Sequence, residues 1–454
     1  MKKLSPSAYF LVGSMLFGLF FGAGNLIFPV HIGQEAGSQV LPATIGFVLT
    51  ATGLPFLGVL AIGISDCGGL LGLASRVSRI WGYFFTITLY LTIGPFFAHP
   101  RTATVAYEIG FSLYMPQHYQ KTGLLVFTIL FFSASLFFAL RPGKLLIWIG
   151  KVLNPMFLLC LSVLIFISFL YPMGSIADAP VYADYEQKAF FKGFTGGYQT
   201  MDALAALAFG ILVVDALKRL GVTQPKEIAV STAKAGFISV LLMVIIYTCL
   251  TCLGAMSTGK LELSENGGIA LAQISHYYFG ASGAILLAFI VTLACLKTAI
   301  GLTTSCAAAF AEMFPNLLSY RVYAVFFSVL SCIIANAGLS QIITLSLPVL
   351  MFLYPPAMVL ILLALFSRLF ADNRLVYLTT TIATILFSIG DALAVSPYGI
   401  RHYPPVQKLL AFYETMPLFG IGMAWVLPAA AGFSIGLLMH ILYSIKRNSR
   451  NTAI

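Results

Sequence analysis

The chain has 454 residues, of which 59% are hydrophobic and only 9% charged, with a formal net charge of +10. Soluble domains carry roughly 25% charged residues, so this composition excludes a water-exposed globular enzyme, and its apolar excess excludes disorder. A polytopic membrane protein remains: at about 20 apolar residues per spanning helix plus loops, the length holds roughly 10 to 13 spans.

In chain order, the apolar runs predict spans near 8–31, 40–64, 80–107, 123–140, 145–171, 191–217, 228–256, 281–310, 320–336, 341–366, 374–393 and 418–445. Met1–Lys3 ahead of the first run imitates a signal peptide, but no small-residue cleavage site stands out, so the run reads as span 1. With the N-terminus inside, most Lys and Arg fall in inside loops. Only Lys121, Lys188, Lys192, Lys260, Arg401 and Lys408 fall outside, while Arg101 and Lys297 lie within spans. This alternation needs twelve spans and puts both termini in the cytoplasm. The positive charge therefore reads as orientation, not as nucleic-acid binding. Loops 172–190 and 257–280 are too short to fold alone, and 397–417, with Pro397, Pro404, Pro405 and Pro417, reads as a stiff connector. The seven cysteines follow no disulfide or metal spacing, and Cys249 and Cys252 read as two buried thiols in an apolar run. The whole chain, 1–454, reads as one polytopic domain.

Two spans contain stretches that a continuous helix disfavours. Span 1 holds Gly18, Gly22, Gly24 and Asn25 ahead of Pro29; span 6 holds Gly193, Gly196, Gly197, Thr195, Thr200 and the carboxylate of Asp202. Each internal glycine costs about 1 kcal/mol relative to Ala in a helix. Close helix packing through small residues would explain either stretch alone. Occurring five spans apart, the pair matches an inverted-repeat transporter, with repeats over 8–171 and 191–366 and two extra helices over 374–445. Broken helices offer bare N–H groups to an anion and bare carbonyls to a cation. In span 8, Thr303, Thr304 and Ser305 form a hydroxyl row. Such a row either bonds its own helix or joins free carbonyls in an oxygen site suited to Na⁺.

At these three segments, Gly22–Pro29, Gly197–Asp202 and Gly301–Ser305, the chain resembles the bacterial branched-chain amino acid:cation symporters of the BrnQ type. More distantly it resembles sodium-coupled transporters with the leucine-transporter fold. The resemblance implies an all-α membrane protein that imports leucine, isoleucine and valine with Na⁺ by alternating access, embedded in the bacterial cell membrane. It implies one sodium site at the carbonyls of Gly18, Phe21 and Ile300 and the hydroxyls of Thr303 and Thr304. A second would use the Phe20 carbonyl, Asn25 and Thr200. The substrate carboxylate would meet the amides of Gly22, Ala23 and Gly24, and its ammonium the carbonyls near Gly197 and Tyr198. The Arg that follows the Asn in the distant relatives is absent here, which implies a different outer gate. Apart from the lipid bilayer and the small-molecule substrate, no partner is implied; no organic cofactor is implied either. H⁺ is the alternative coupling ion, and a proton-coupled or exchange transporter of another neutral amino acid is the alternative function.

Intramembrane charges demand a partner or a role. Asp202 reads as a site or gating carboxylate, with a structural hydrogen bond as its other reading. Lys297, in mid-span 8, reads either as a group coupled to the cation site or as a structural pair with an acid such as Asp202. Arg101 and Glu108 read as snorkelling to the interface, and Tyr90 as either a lid or a packed residue. No His-Glu-x-x-His or Gly-x-Ser-x-Gly motif occurs, which argues against a membrane enzyme. The polar residues gather at two breaks and one hydroxyl row instead of tracing a continuous pore, which argues against a channel.

Overall fold

The computed structural model describes residues 4–65, 67–112, 115–140, 154–182, 184–222 and 224–451. The expected start of span 5 at 145, with Arg141, Lys144 and Lys151, lies outside them, as do Lys2 and Lys3. Every regular element among the described residues is helical.

α1 (Pro6–Phe20) begins where the Ser5 hydroxyl accepts the Ala8 N–H and where Pro6 has no N–H to waste. It stops at Phe21, and α2 (Ala23–Ala36) restarts after an extended Gly22. A turn at Gly37–Gln39 leads to α3 (Val40–Val48), which runs through a π-turn into α4 (Leu54–Ser65). The short α5 (Leu70–Ser75) precedes α6 (Arg79–Leu91) and α7 (Ala98–Gly110). Span 3, expected to be continuous, is interrupted between these last two. A π-turn at Thr92–Phe96 carries Pro95, and Gly94 leaves helical geometry with ψ −122°. Proline has no N–H to donate and its ring collides with the preceding turn, so the helix breaks there.

α8 (Gln120–Ala139) and α9 (Asn154–Leu170) follow, then α10 (Tyr185–Gly196), a 3₁₀ turn over Gly197–Thr200, and α11 (Asp202–Arg219). α10 and α11 bend by 44° at Met201. α12 (Pro225–Ser257) is followed by α13 (Gly267–Met313), which kinks at Gly280, φ +60°. The expected loop 257–280 is therefore helical from Gly267 onward, capped by the Asn266 side chain on the Gly268 and Ile269 N–H groups. α14 (Tyr320–Ala335), α15 (Leu339–Leu365) and α16 (Arg374–Ala394) come next. The connector after them folds into α17 (Tyr398–Arg401) and α18 (Pro404–Glu414), and α19 (Val426–Asn451) begins later than the expected 418.

Eight helices among the described residues are long and apolar enough to cross a bilayer, and the bent pair α10–α11 makes a ninth. Twelve spans result if α1 with α2 is one, α3 with α4 another, and the shorter apolar α9 and α14 are counted. Span 1 packs along span 7 (α1 and α2 on α12), while span 6 packs along span 2 (α10 on α3, α11 on α4). Glycines permit both approaches. A Cβ on Gly33 would lie 2.0 Å from the Thr251 carbonyl oxygen, and one on Gly193 would lie 1.9 Å from that of Ala43. α13 packs against α7, α8 and α14, and against α2 of span 1.

Candidate functional site

The two breaks face each other across one small cavity. Phe20, Gly22, Ala23, Gly24 and Asn25 line it from span 1, and Thr200, Met201 and Asp202 from span 6. Its apolar wall is Ile93, Ala98, Ala205, Phe209 and Leu302. The cavity measures about 30 Å³, close to the share of one water molecule.

The span 1 break is held open by Asn25. Its Oδ1 accepts the Gly22 N–H at 3.2 Å, which removes the donor that the Gly18 carbonyl would have had in a continuous helix. Its Nδ2 donates to Asp202 Oδ2 at 2.6 Å and to the Tyr247 hydroxyl, and that hydroxyl donates to the same Asp202 oxygen at 3.2 Å. Asp202 is 3% exposed. Buried charge is tolerated only when it is hydrogen-bonded, and these bonds tie α2, α11 and α12 together. Asp202 also opens α11, where a carboxylate suits the positive end of the helix dipole. α2 opens differently, with no acidic residue in its first turn. Its first N–H groups face the cavity without helical partners.

At span 6 the break falls on one residue, not on the glycines. Met201 adopts the left-handed conformation, φ +62°, which costs a non-glycine residue roughly 1–2 kcal/mol. Gly193, Gly196 and Gly197 remain in helical turns. Gly197 packs on Thr50, whose hydroxyl oxygen would lie 2.0 Å from a Cβ there, and so it does not line the cavity. Tyr198 does not line it either: its ring is fully buried and stacks on Tyr354 at 4.3 Å. Thr200 does line it, donating to the Gly197 carbonyl at 2.9 Å and accepting the Asp202 N–H at 3.3 Å.

Arg101, expected to snorkel, is instead 2% exposed and lines the cavity. Its Nη1 donates to the Gln199 carbonyl at 2.7 Å and its Nη2 to that of Thr200 at 3.5 Å. These are the carbonyls left bare where the first half of span 6 ends. The guanidinium also lies over the Phe28 ring, 4.9 Å from its centroid. Phe28 and Gln199 line a second, larger space of about 660 Å³, a vestibule that also holds His31, Glu35, Asp184, Lys188 and Lys192. Arg101, Phe28 and Gln199 thus separate vestibule from cavity. In the vestibule, Lys192 bonds Asp184 at 2.7 Å and holds that carboxyl below its usual range.

On span 8 the residue against the span 1 break is Thr298: a Cβ on Gly22 would lie 3.3 Å from its hydroxyl oxygen. The expected ligands Thr303 and Thr304 lie further along the same helix. The Thr303 hydroxyl donates to the Ala299 carbonyl and meets His99 Nε2 at 3.0 Å, while His99 Nδ1 meets Ser331. The Thr304 hydroxyl donates to the Ile300 carbonyl at 2.8 Å. Thr304 is six residues past Thr298, about 9 Å along the axis at 1.5 Å per residue. Lys297 is 4% exposed and neighbours Thr298 in sequence; Asp202, the acid offered as its partner, is held by Asn25 and Tyr247. Tyr90 is packed, its hydroxyl on the Ala208 carbonyl. Cys249 and Cys252 are free and half-buried, and the described residues contain no cluster of metal-binding His, Cys, Asp or Glu.

The sequence reading missed Arg101, Tyr247 and Thr298. Arg101 carried the clearest signal: an arginine inside a span, six residues after Gly94–Pro95. Tyr247 and Thr298 carried none, since neither interrupts its apolar run.

The family described as "Branched-chain amino acid transport protein" matches residues 5–443. The branched-chain amino acid permease BrnQ of Lactobacillus delbrueckii subsp. lactis is 45% identical over 436 residues, covering 96% of this chain and 97% of its own. BrnQ of Bacillus subtilis (strain 168) is 42% identical over 440 residues, covering 97% and 98%. Two solved transporters share the leucine-transporter fold with it. Inward-facing Mhp1 aligns with a TM-score of 0.61 at 14% identity, covering 98% of this chain and 95% of its own. MhsT in complex with L-phenylalanine aligns with a TM-score of 0.57 at 15% identity, covering 96% and 98%. With the matched model spanning nearly its whole length, the chain belongs to the branched-chain amino acid transport protein family.

Proposed function

We propose that the protein imports leucine, isoleucine and valine across the bacterial cell membrane, coupled to Na⁺, by alternating access. The observation that carries this reading is the cavity itself. It has bare helix-end groups and two opposite charges at its polar side, and an apolar wall opposite. A zwitterion with a branched aliphatic side chain needs both. Fixed dipoles replace the water of its charged end, and each CH₂ buried against the wall contributes about 0.8 kcal/mol. One methylene discriminates poorly, so the three substrates overlap.

The packing supports a rocking motion. Spans 1, 2, 6 and 7 pack on one another, while span 8 packs with spans 3, 4 and 9 and meets span 1 through α2. The exchange of partners, 1 with 7 and 6 with 2, is what two inverted five-helix repeats over 8–171 and 191–366 would produce, with 374–445 added outside them. For the cation, the carbonyls of Gly18, Phe20 and Phe21 supply oxygens at the end of α1. Thr298 supplies the hydroxyl beside them, in the role first given to Thr303 and Thr304. Each Na⁺ moving inward gains about 2.3 kcal/mol per 100 mV. The second reading is proton coupling or exchange, and the buried Lys297 beside Thr298 favours it. Uptake of labelled leucine into proteoliposomes, with Na⁺ and pH gradients imposed separately, tests the proposal. The Na⁺ gradient alone should drive accumulation; accumulation driven only by the pH gradient would transfer the coupling to H⁺.

A further inference from the structure

Arg101 is placed where transport of a carboxylate would use it, although the sequence placed it only at the membrane interface. Its guanidinium has one committed corner and one open edge. Nη1 is anchored on the Gln199 carbonyl at 2.7 Å. The opposite edge, Nε with Nη2, carries only the 3.5 Å contact of Nη2 to the Thr200 carbonyl, and Nε is buried with no hydrogen-bond partner. Leaving such a donor unmet is costly, and Nε with Nη2 is an edge on which arginine grips a carboxylate through two parallel bonds. Nη2 of that edge lies against the start of α2, where a Cβ on Gly24 would be 2.7 Å from it. A cation against the positive end of a helix is unfavourable by itself. A carboxylate inserted between them satisfies both at once: the guanidinium edge on one side, the first amides of α2 on the other. Asp202 lies across the same cavity, and its bonds go to Asn25 and Tyr247, not to Arg101.

We infer that Arg101 is the substrate's carboxylate receptor, closing on it with the Nε/Nη2 edge while Nη1 stays on Gln199. Resting on the proposed amino acid transport, this makes Arg101 a specificity residue for the head group, whichever ion drives uptake. Since Arg101 also stands with Phe28 and Gln199 between vestibule and cavity, capture of the carboxylate and closure of that side involve the same side chain.

The test is a cycle between protein and ligand: equilibrium binding of L-leucine and of leucinamide, which keeps the side chain and amine but lacks the negative charge. The purified parent should prefer leucine. Arg101→Gln should weaken leucine about ten- to a hundredfold, the size of a lost charge-assisted pair, and shift leucinamide by no more than about twofold. Arg101→Lys, which keeps the charge but not the paired donors, should fall between. Equal weakening of both ligands, or an intact preference for leucine in Arg101→Gln, would overturn the inference and leave Arg101 a cap on span 6. If Arg101→Gln does not fold, Gly24→Ala serves instead. Its Cβ meets Nη2, so the leucine preference must shrink, and an unchanged preference overturns the assignment. A parent protein that binds no leucine at all would refute the transport reading itself.

Discussion

The breaks in spans 1 and 6 look alike in sequence and are built differently. Span 1 is opened by its own polar residue, because Asn25 takes the Gly22 N–H and leaves the helix ends facing the cavity. Span 6 is opened by a strained Met201, its loose carbonyls are covered by Arg101, and its glycines serve packing against span 2. Glycine in a membrane helix can thus mark either a binding surface or a close helix contact. What decides between them is whether backbone or space lies opposite.

Parallel glycine substitutions test that contrast. Gly24→Leu should abolish leucine binding in a protein that still inserts and folds, because its side chain must occupy the space of Arg101 Nη2 and the Phe28 ring. Leucine affinity retained in thermal-shift titration would make the span 1 break a packing device as well. Gly193→Ala should act on stability instead: its Cβ meets the Ala43 backbone, and overpacking of this kind costs about 1–3 kcal/mol. A melting temperature equal to that of the parent would show that spans 2 and 6 are not in tight contact there. Asp202→Ala removes the acceptor shared by Asn25 and Tyr247. It should destabilise the fold by roughly 1.5–3 kcal/mol in denaturation measurements, whereas an unchanged midpoint would mean the two breaks are not linked through it.

Smaller effects are expected on span 8. Thr298→Ala should raise the Na⁺ concentration needed for half-maximal leucine uptake roughly tenfold, the equivalent of about 1.4 kcal/mol. Thr304→Ala, whose hydroxyl bonds its own helix, should move it less. The reverse order would restore the site to the hydroxyl row. Lys297→Thr should give active protein with tighter apparent Na⁺ affinity and a flatter pH profile. If both profiles match the parent, the lysine is structural.

Much of the fold was legible because bilayer spans are written as long apolar runs, and because glycine, asparagine and acid residues inside such runs have few uses. The span 1 site could be read almost residue by residue. Gly22, Ala23, Gly24 and Asn25 are consecutive in sequence and remain neighbours in space. What failed needed a rotation or a partner. Which face of span 8 meets span 1 depends on helix packing, so neither the contact of Thr298 with the Gly22 turn nor that of Thr303 with His99 could be read from the sequence. Gly197 and Tyr198 sat in the right segment but turned toward spans 2 and 10. Arg101 was recognised as lying within a span and still assigned to the interface, since Gly94–Pro95 marks a break in the helix without showing which way the next segment, with Arg101, faces.

The central claim is that one cavity between the two breaks carries branched-chain amino acids across the membrane. Counterflow tests it most directly, with labelled leucine outside proteoliposomes preloaded with a single unlabelled amino acid. Leucine, isoleucine or valine inside should each drive transient accumulation of label in the parent protein, glutamate or lysine should not, and Gly24→Leu should show none. Absence of counterflow in the parent, or undiminished counterflow in Gly24→Leu, would contradict the account.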